Sequence, residues 1–256
     1  MTRVATKIVF ALFAVSLLVS APAFAAKDKS AEDAYYAQQI ADPIEPVNRF
    51  IFGFNNFLDM ILIEPVARGY RAVVPNVARD AVQSFMRNLR SPLQIANNLL
   101  QGDLGAAGVS TARFLINTTA GIGGLVDVAS AHGLEYRYED FGQTLGRWGA
   151  GPGFYMVLPI WGPSSLRDAI GLGVDTYADP VRIIAKNTDK DWIYYTREGL
   201  EGIDYRSRMI DVIDDMRRNS LDYYATARSA YTQRRAALIR NDRPGAAVQM
   251  NEDDHP

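Results

Sequence analysis

The sequence predicts a mostly α-helical protein, and three observations carry that expectation. Apolar residues recur at three- and four-residue steps over most of residues 41–240. Only one short stretch, Tyr155 to Ile160, reads as a strand or one arm of a hairpin. The one long break in helical periodicity, Phe141 to Ser164, is filled with glycine, proline and aromatic residues, which marks a single loop and not a second fold class. No internal repeat is present, and roughly 215 residues are enough for one domain with a core.

The first element lies outside that domain. Residues 1–26 read as a targeting segment. Arg3 and Lys7 make a positive start, Ile8 to Ala21 is apolar apart from Ser16 and Ser20, and Ala23-Phe24-Ala25 fits a small-x-small cleavage site. The run falls short of the about 20 apolar residues that span a bilayer, so an exported protein is expected. Residues 27–40 are polar and expected to be flexible. Arg3 and Lys7 are the only charges in the leader, so its removal takes the formal charge from −2 to −4. Nucleic acid is therefore not an expected partner. The chain has no cysteine, so no disulfide, thiolate metal site, cysteine nucleophile or acylated cysteine is expected.

The helix that follows is the most informative part. Asp42 to Pro65 holds Phe50, Phe52, Phe54 and Phe57 within eight residues. As a helix from Val47 to Ile63, it gathers Val47, Phe50, Ile51, Phe54, Phe57, Leu58, Ile61 and Leu62 on one face of roughly 140°. Asn48, Asn55 and Asp59 line one flank, and Arg49 and Asn56 lie opposite. A helix this apolar needs apolar surroundings over most of its girth. Deep burial in a soluble core and an in-plane position at a bilayer both satisfy that need, and periodicity alone does not choose between them.

Helical periodicity resumes over Pro75–Leu89 (Val77, Ala81, Phe85, Leu89) and again over Pro92–Leu100. Asp103 is an N-cap candidate for a helix reaching about Asn117. Gly121-Ile-Gly-Gly124 ends it. The spacing of glycines and prolines over 141–164 predicts no regular helix there. Ser164 or Ser165 can cap a helix through Val174. Asp191–Arg218 reads as one long amphipathic helix and Leu221–Ile239 as another. Residues 241–256 are polar, aperiodic and expected to be disordered.

Catalytic signals are weak. Gly149-Ala-Gly-Pro-Gly153 lacks the lysine and hydroxyl of a phosphate loop. His132 is the one histidine inside the domain, no serine sits in a nucleophile elbow, and His132 reads as a solvated loop residue. The adjacent acids Glu139/Asp140 and Asp214/Asp215 read as solvated. No enzymatic activity, metal or cofactor is expected. Arg197 has two readings: a surface ion pair with Glu201 at i+4, or a cation meeting a lipid phosphate.

Ten ordered segments resemble the MlaA family, also called VacJ. They include DPIEPVNRFIFGFNNFLD at 42–59, NNLLQGD at 97–103, RFLINT at 113–118, GIGGLVDVA at 121–129, DFGQTLGRWG at 140–149 and LPIWGPSSLRD at 158–168. The resemblance covers about residues 40–205 and implies a single ring-like helical domain over 41–240, in the inner leaflet of the bacterial outer membrane. It implies an outer-membrane channel that removes mislocalised phospholipid from the outer leaflet and passes it to a soluble periplasmic lipid carrier, in association with a trimeric porin. On this reading Phe50, Phe54, Phe57, Leu58 and Ile61 face the membrane. Asn48, Asn55, Asp59, Trp148, Phe154, Tyr155 and Arg197 are candidates for the lipid pathway or its gate. A soluble periplasmic lipid-binding carrier is the competing expectation. Many family members carry an acylated N-terminal cysteine, which this sequence lacks, so anchoring is expected to rest on amphipathic helices and the porin.

Overall fold

The structure, a computed structural model, describes residues 40–241. The leader, Lys27 to Gln39 and the tail beyond residue 241 lie outside the described residues. The phenylalanine helix α1 spans Glu45–Leu58, with Pro46 in its first turn, where a missing N–H is harmless. A π-helical turn at Asp59–Ile63 follows, and the helix continues as α2 over Glu64–Val73. It therefore runs well past Ile63. Pro65 falls where the widened turn already interrupts regular bonding, so it does not stop the chain.

Helix α3 is a single element, Asn76–Leu100, with Pro92 inside it, where the sequence predicts two helices. Proline removes one backbone bond, but side-chain bonds hold the turns on both sides of it to α4 (Leu104–Thr119). Asn88 donates to Thr118 Oγ1 at 3.0 Å and Asn98 to Ser110 Oγ at 3.1 Å. Asp103 caps α4 as expected, accepting from the Ala106 N–H at 2.8 Å. A one-turn helix, α5, occupies Val128–Ala131.

The region 141–164 is only partly a loop. Helix α6, Phe141–Arg147, corrects the expectation of none; Asp140 caps it by accepting from the Gln143 N–H at 2.8 Å. That cap, Asp-x-x-Gln, was visible in the sequence. The glycines inside α6 meet close neighbours: a Cβ on Gly146 would stand 3.0 Å from Ile239 Cδ1. The expected hairpin is present, with β1 (Tyr155–Leu158) antiparallel to β2 (Gly162–Ser165) and Tyr155 opposite Ser165. Ser165 caps α7, Leu166–Ala178, and Asp179 caps α8, Pro180–Asn187. The predicted 191–218 helix is broken at Met209 into α9, Asp191–Arg208, and α10, Ile210–Asn219. Helix α11 spans Tyr223–Arg240.

The interior reverses the pattern of a soluble globule. Among the described residues, 23 buried side chains are polar or charged and 12 are hydrophobic, whereas water-soluble folds bury mainly apolar residues. One small apolar core joins Ile40, Tyr155, Val157 and Tyr224, with Ile51, Phe52 and Tyr231 against it. Beside it, Arg235 bridges Asp140 at 2.6 Å and Asp168 at 2.8 Å, and Arg167 closes on Asp168 at 2.9 Å. Buried charges persist only when paired in this way. Asp140 is thus half-buried in a network and Glu139 is 3% exposed, which corrects the reading of this pair as solvated.

A close backbone approach joins α6 to α7. A Cβ on Gly171 would lie 2.3 Å from the Gly142 nitrogen and 2.6 Å from its Cα. Neither backbone can yield without moving its helix, so Gly171→Ala is expected to cost about 3 kcal/mol. In a thermal melt that is a fall of roughly 6–12 °C. Gly173→Ala, two residues on, meets nothing within 4 Å and is expected to be neutral or stabilising by about 0.5–1 kcal/mol. Equal melting temperatures for the two variants would contradict the packing described.

Candidate functional site

The helix from Glu45 to Val73 is, among the described residues, the one long and apolar enough to cross a membrane by length and composition, and 6% of its most apolar window is buried. Its phenylalanine face looks outward. Phe50 is 76% exposed, Phe57 57% and Ile61 55%; Phe54 is exposed too, and Leu58 half-buried. Deep burial in a soluble core is therefore not what this face does. Phe52, off the main stripe, instead packs edge-on against Tyr223 and Tyr224 at 5.0 and 5.5 Å.

The opposite side is fastened to protein by charge. Asp59 and Glu64 are five residues apart, a step that turns about 140° beyond one revolution in an α-helix. The π turn, closed by the Glu64 N–H to the Asp59 carbonyl, brings that step near a full revolution. Both carboxylates then meet the same two arginines. Arg206 holds Asp59 at 2.8 Å and Glu64 at 3.2 Å, and Arg217 holds each at 2.6 Å. The break at Met209 separates the two helices that carry these arginines.

Asn48 and Asn55, two helical turns apart, fasten the hairpin. Asn48 donates to the Tyr155 carbonyl at 3.0 Å and accepts from the Val157 N–H at 2.8 Å. Asn55 donates to the Leu158 carbonyl at 2.9 Å and accepts from the Ile160 N–H at 2.8 Å. Each amide thus presents a donor and an acceptor in the manner of a neighbouring strand. Helix α1 becomes the missing edge partner of β1 through side chains alone.

The remaining candidates are engaged with protein. Tyr155 is fully buried between Tyr224 and Tyr231, and burial raises its phenol pKa. Trp148 donates to the Leu100 carbonyl at 2.9 Å and stands edge-on to Phe141. Phe154 is half-buried, its carbonyl accepting from the Leu166 N–H. Arg197, 6% exposed, is held by Asp179 at 2.7 Å and by Glu198. The expected Arg197–Glu201 pair does not form, because Glu201 turns to Arg90 on α3 at 3.0 Å. His132 is exposed, as expected of a loop residue.

Sequence reasoning missed the hairpin tip. Ile160 and Trp161 are both about two-thirds exposed, and Ile160 holds a φ of 72°, a costly conformation for a β-branched residue. Pro159 before and Gly162 after were the available signal of a tight turn. It also missed Arg206 and Arg217, whose partners lie more than 140 residues away in sequence.

One buried acid, Glu139, and one half-buried acid, Asp175, give the fold a pH signature. Burial pushes Glu139 up to about 6, opposed by the Gln101 amide and aided by the charge of Asp140. Burial likewise pushes Asp175 up to about 6, against the bond from the Phe141 N–H. A carboxyl with a raised folded pKa keeps its proton after the unfolded chain has lost it, so stability falls as pH rises. The window runs from about 4 to about 6, and the loss is on the order of 2–3 kcal/mol per group. Chemical denaturation is expected to show greater stability near pH 4.5 than at pH 7. Glu139→Gln with Asp175→Asn should flatten that slope, and an unchanged slope would contradict the assignment.

Together these features define a class: a helical protein with a charged, hydrogen-bonded interior and one long helix that turns an apolar face outward. Residues 40–238 match the family model described as MlaA lipoprotein. The chain is 37% identical over 202 residues to the intermembrane phospholipid transport system lipoprotein MlaA of Escherichia coli (strain K12), covering 76% of each chain. It is 39% identical over 209 residues to an uncharacterized protein of Rickettsia bellii, covering 79% of this chain and 78% of that one. A solved structure described as the structural basis for maintenance of bacterial outer membrane lipid asymmetry superposes with a TM-score of 0.68 at 36% identity, over 78% of this chain and 99% of that one. The chain belongs to the MlaA lipoprotein family, and its mostly helical, ring-like fold is that of the family.

Proposed function

We propose that this protein is an outer-membrane phospholipid channel, held in the inner leaflet, that removes mislocalised phospholipid from the outer leaflet and passes it to a soluble periplasmic carrier. The observation that carries the reading is the two-sidedness of Glu45–Val73. Phe50, Phe54 and Phe57 face outward while Asp59 and Glu64 are locked to Arg206 and Arg217. A helix so divided rests at the boundary of lipid and protein, with charges along its inner side and acyl chains against its outer side. A polar path beside an apolar exterior lowers the cost of moving a charged head past hydrocarbon and needs no covalent chemistry. The relatives' role in phospholipid transport and lipid asymmetry agrees with this. A soluble carrier would have to hide the same rings.

We further propose export through residues 1–26, attachment without an acylated cysteine, and a trimeric porin as membrane partner. The Ile160–Trp161 tip joins the gate, with Asn48 and Asn55 as its fastenings. Expression in a bacterium deleted for its own family gene tests the reading. Outer-leaflet phospholipid should fall to the level of the intact strain, and the protein should pellet with outer membrane through a salt wash. Recovery in the osmotic-shock fluid, with asymmetry unrestored, would overturn it.

A further inference from the structure

Helix α7 repeats the divided pattern of the Glu45–Val73 helix at a place the arrangement above does not use. Leu166, Ile170, Val174 and Tyr177 recur at steps of four, four and three and are all exposed, so they share one outward stripe. The charges of the same helix turn the other way: Arg167 and Asp168 are buried and Asp175 is half-buried. The stripe runs to the turn between α8 and α9. There the Arg182 guanidinium lies 4.4 Å from the centre of the Tyr177 ring and 5.9 Å from that of Tyr194. Tyr194 stands edge-on to Tyr195 at 5.5 Å. Around these rings Ile184, Trp192 and Tyr195 are each about two-thirds exposed.

Lysines complete the surface. Lys186 and Lys190 are the only two among the described residues, and both lie at this turn, exposed. Neither meets a carboxylate among the described residues, whereas Arg197 on α9 is taken up by Asp179 and Glu198. Asp189 and Asp191 alternate with the lysines. Their carboxylates stay close to the backbone, while a lysine's four-carbon stem carries its charge well clear of it. Trp192 is fourteen residues from Arg206, about 21 Å along α9, so this surface is separate from the clamp on the Glu45–Val73 helix. An order of aliphatic, aromatic and lysine side chains matches a lipid leaflet read from acyl chains to phosphates. A protein partner fits it less well, because lysine is depleted from protein–protein interfaces.

We propose that this surface seats the protein at the head-group level of anionic phospholipid and so sets its depth in the leaflet. The proposal rests on the reading that the protein resides in a membrane. Acyl chains lie against Leu166, Ile170 and Val174. The rings of Tyr177, Trp192 and Tyr195 take the boundary between hydrocarbon and water, where an apolar body with a polar edge is best placed. Lys186 and Lys190 reach outward to the phosphates, each adding an attraction that grows with the negative charge of the surface.

The chain has no cysteine, so a single one introduced at Ile170, Ile184 or Asn187 takes a nitroxide label uniquely. The full chain is reconstituted into vesicles of phosphatidylglycerol and phosphatidylcholine, and each label is scored for collision with oxygen, which concentrates among acyl chains, and with a nickel chelate, which stays in water. The ratio of oxygen to chelate collisions is expected to fall in the order Ile170, Ile184, Asn187. Lys186→Glu with Lys190→Glu should raise chelate collisions at the Ile184 label about threefold, and so should pure phosphatidylcholine vesicles with the lysines intact. Both lysines are exposed, so the variant should melt as wild type does. Labels at Ile170 and Ile184 that meet the chelate as readily as oxygen would overturn the proposal, and so would a depth indifferent both to the lysines and to the anionic lipid. Transport is scored separately by outer-leaflet phospholipid in cells. A chain that restores asymmetry with these labels in water fails here alone, and one with the expected depths that restores nothing fails only as a channel.

Discussion

Phe50→Asp with Phe57→Asp is expected to release the protein from membranes while leaving it folded. Each ring is largely exposed on the outer face of α1 and contributes about 2 kcal/mol on transfer into an apolar phase. Two rings are then worth about 4 kcal/mol, or roughly a thousandfold in partitioning, before the cost of placing a carboxylate among acyl chains. Liposome flotation and outer-membrane fractionation measure the loss. Phe52→Ala provides the contrast. Its ring packs inward on Tyr223 and Tyr224, so its removal should cost about 2–3 kcal/mol of folding stability with flotation unaffected. If the double aspartate variant floats as wild type does, the outward face is not what holds this protein in lipid.

Asn55→Ala is expected to free the hairpin tip without unfolding the domain, whereas Asn48→Ala should threaten the fold. Asn55 is half-buried and bonds the Leu158 carbonyl and the Ile160 N–H. Its loss costs about 1–2 kcal/mol locally and should speed hydrogen exchange at the Ile160 amide about tenfold. Asn48 is 1% exposed and bonds Asp42, Tyr155 and Val157 at once. Truncating it leaves buried backbone groups unmatched beside the small aromatic core, at about 3 kcal/mol or more. Similar exchange and melting behaviour in the two variants would show that the helix does not serve as the edge partner of β1.

The helices were legible because their signals are local. Asp103 and Ser165 each cap the helix expected of them, and the hairpin was legible only as an extended stretch over Tyr155 to Ile160. The misreadings share a cause. Pro92 and the α6 glycines weaken a helix in isolation, and only packing against α4, α7 and Ile239 shows why each is tolerated. Helix 191–218 reads as unbroken because nothing near Met209 announces the turn. For the candidate site, the sequence placed Asn48, Asn55 and Asp59 on one flank of a helix, and the structure keeps them there. It could not say that two would grip a strand and the third two arginines.

The amino-acid order by itself determined the helical class, the divided character of the 47–63 segment and the resemblance to a family, since these depend on periodicity and short motifs. Tertiary structure alone decided which side of that segment meets protein and which is left outward. A helical pattern reports that a face is apolar; what covers the face depends on partners as remote in sequence as Arg206, Arg217 and Tyr223. Here those partners are cations and tyrosines on the inner side, and Phe50, Phe54 and Phe57 are left to the surroundings.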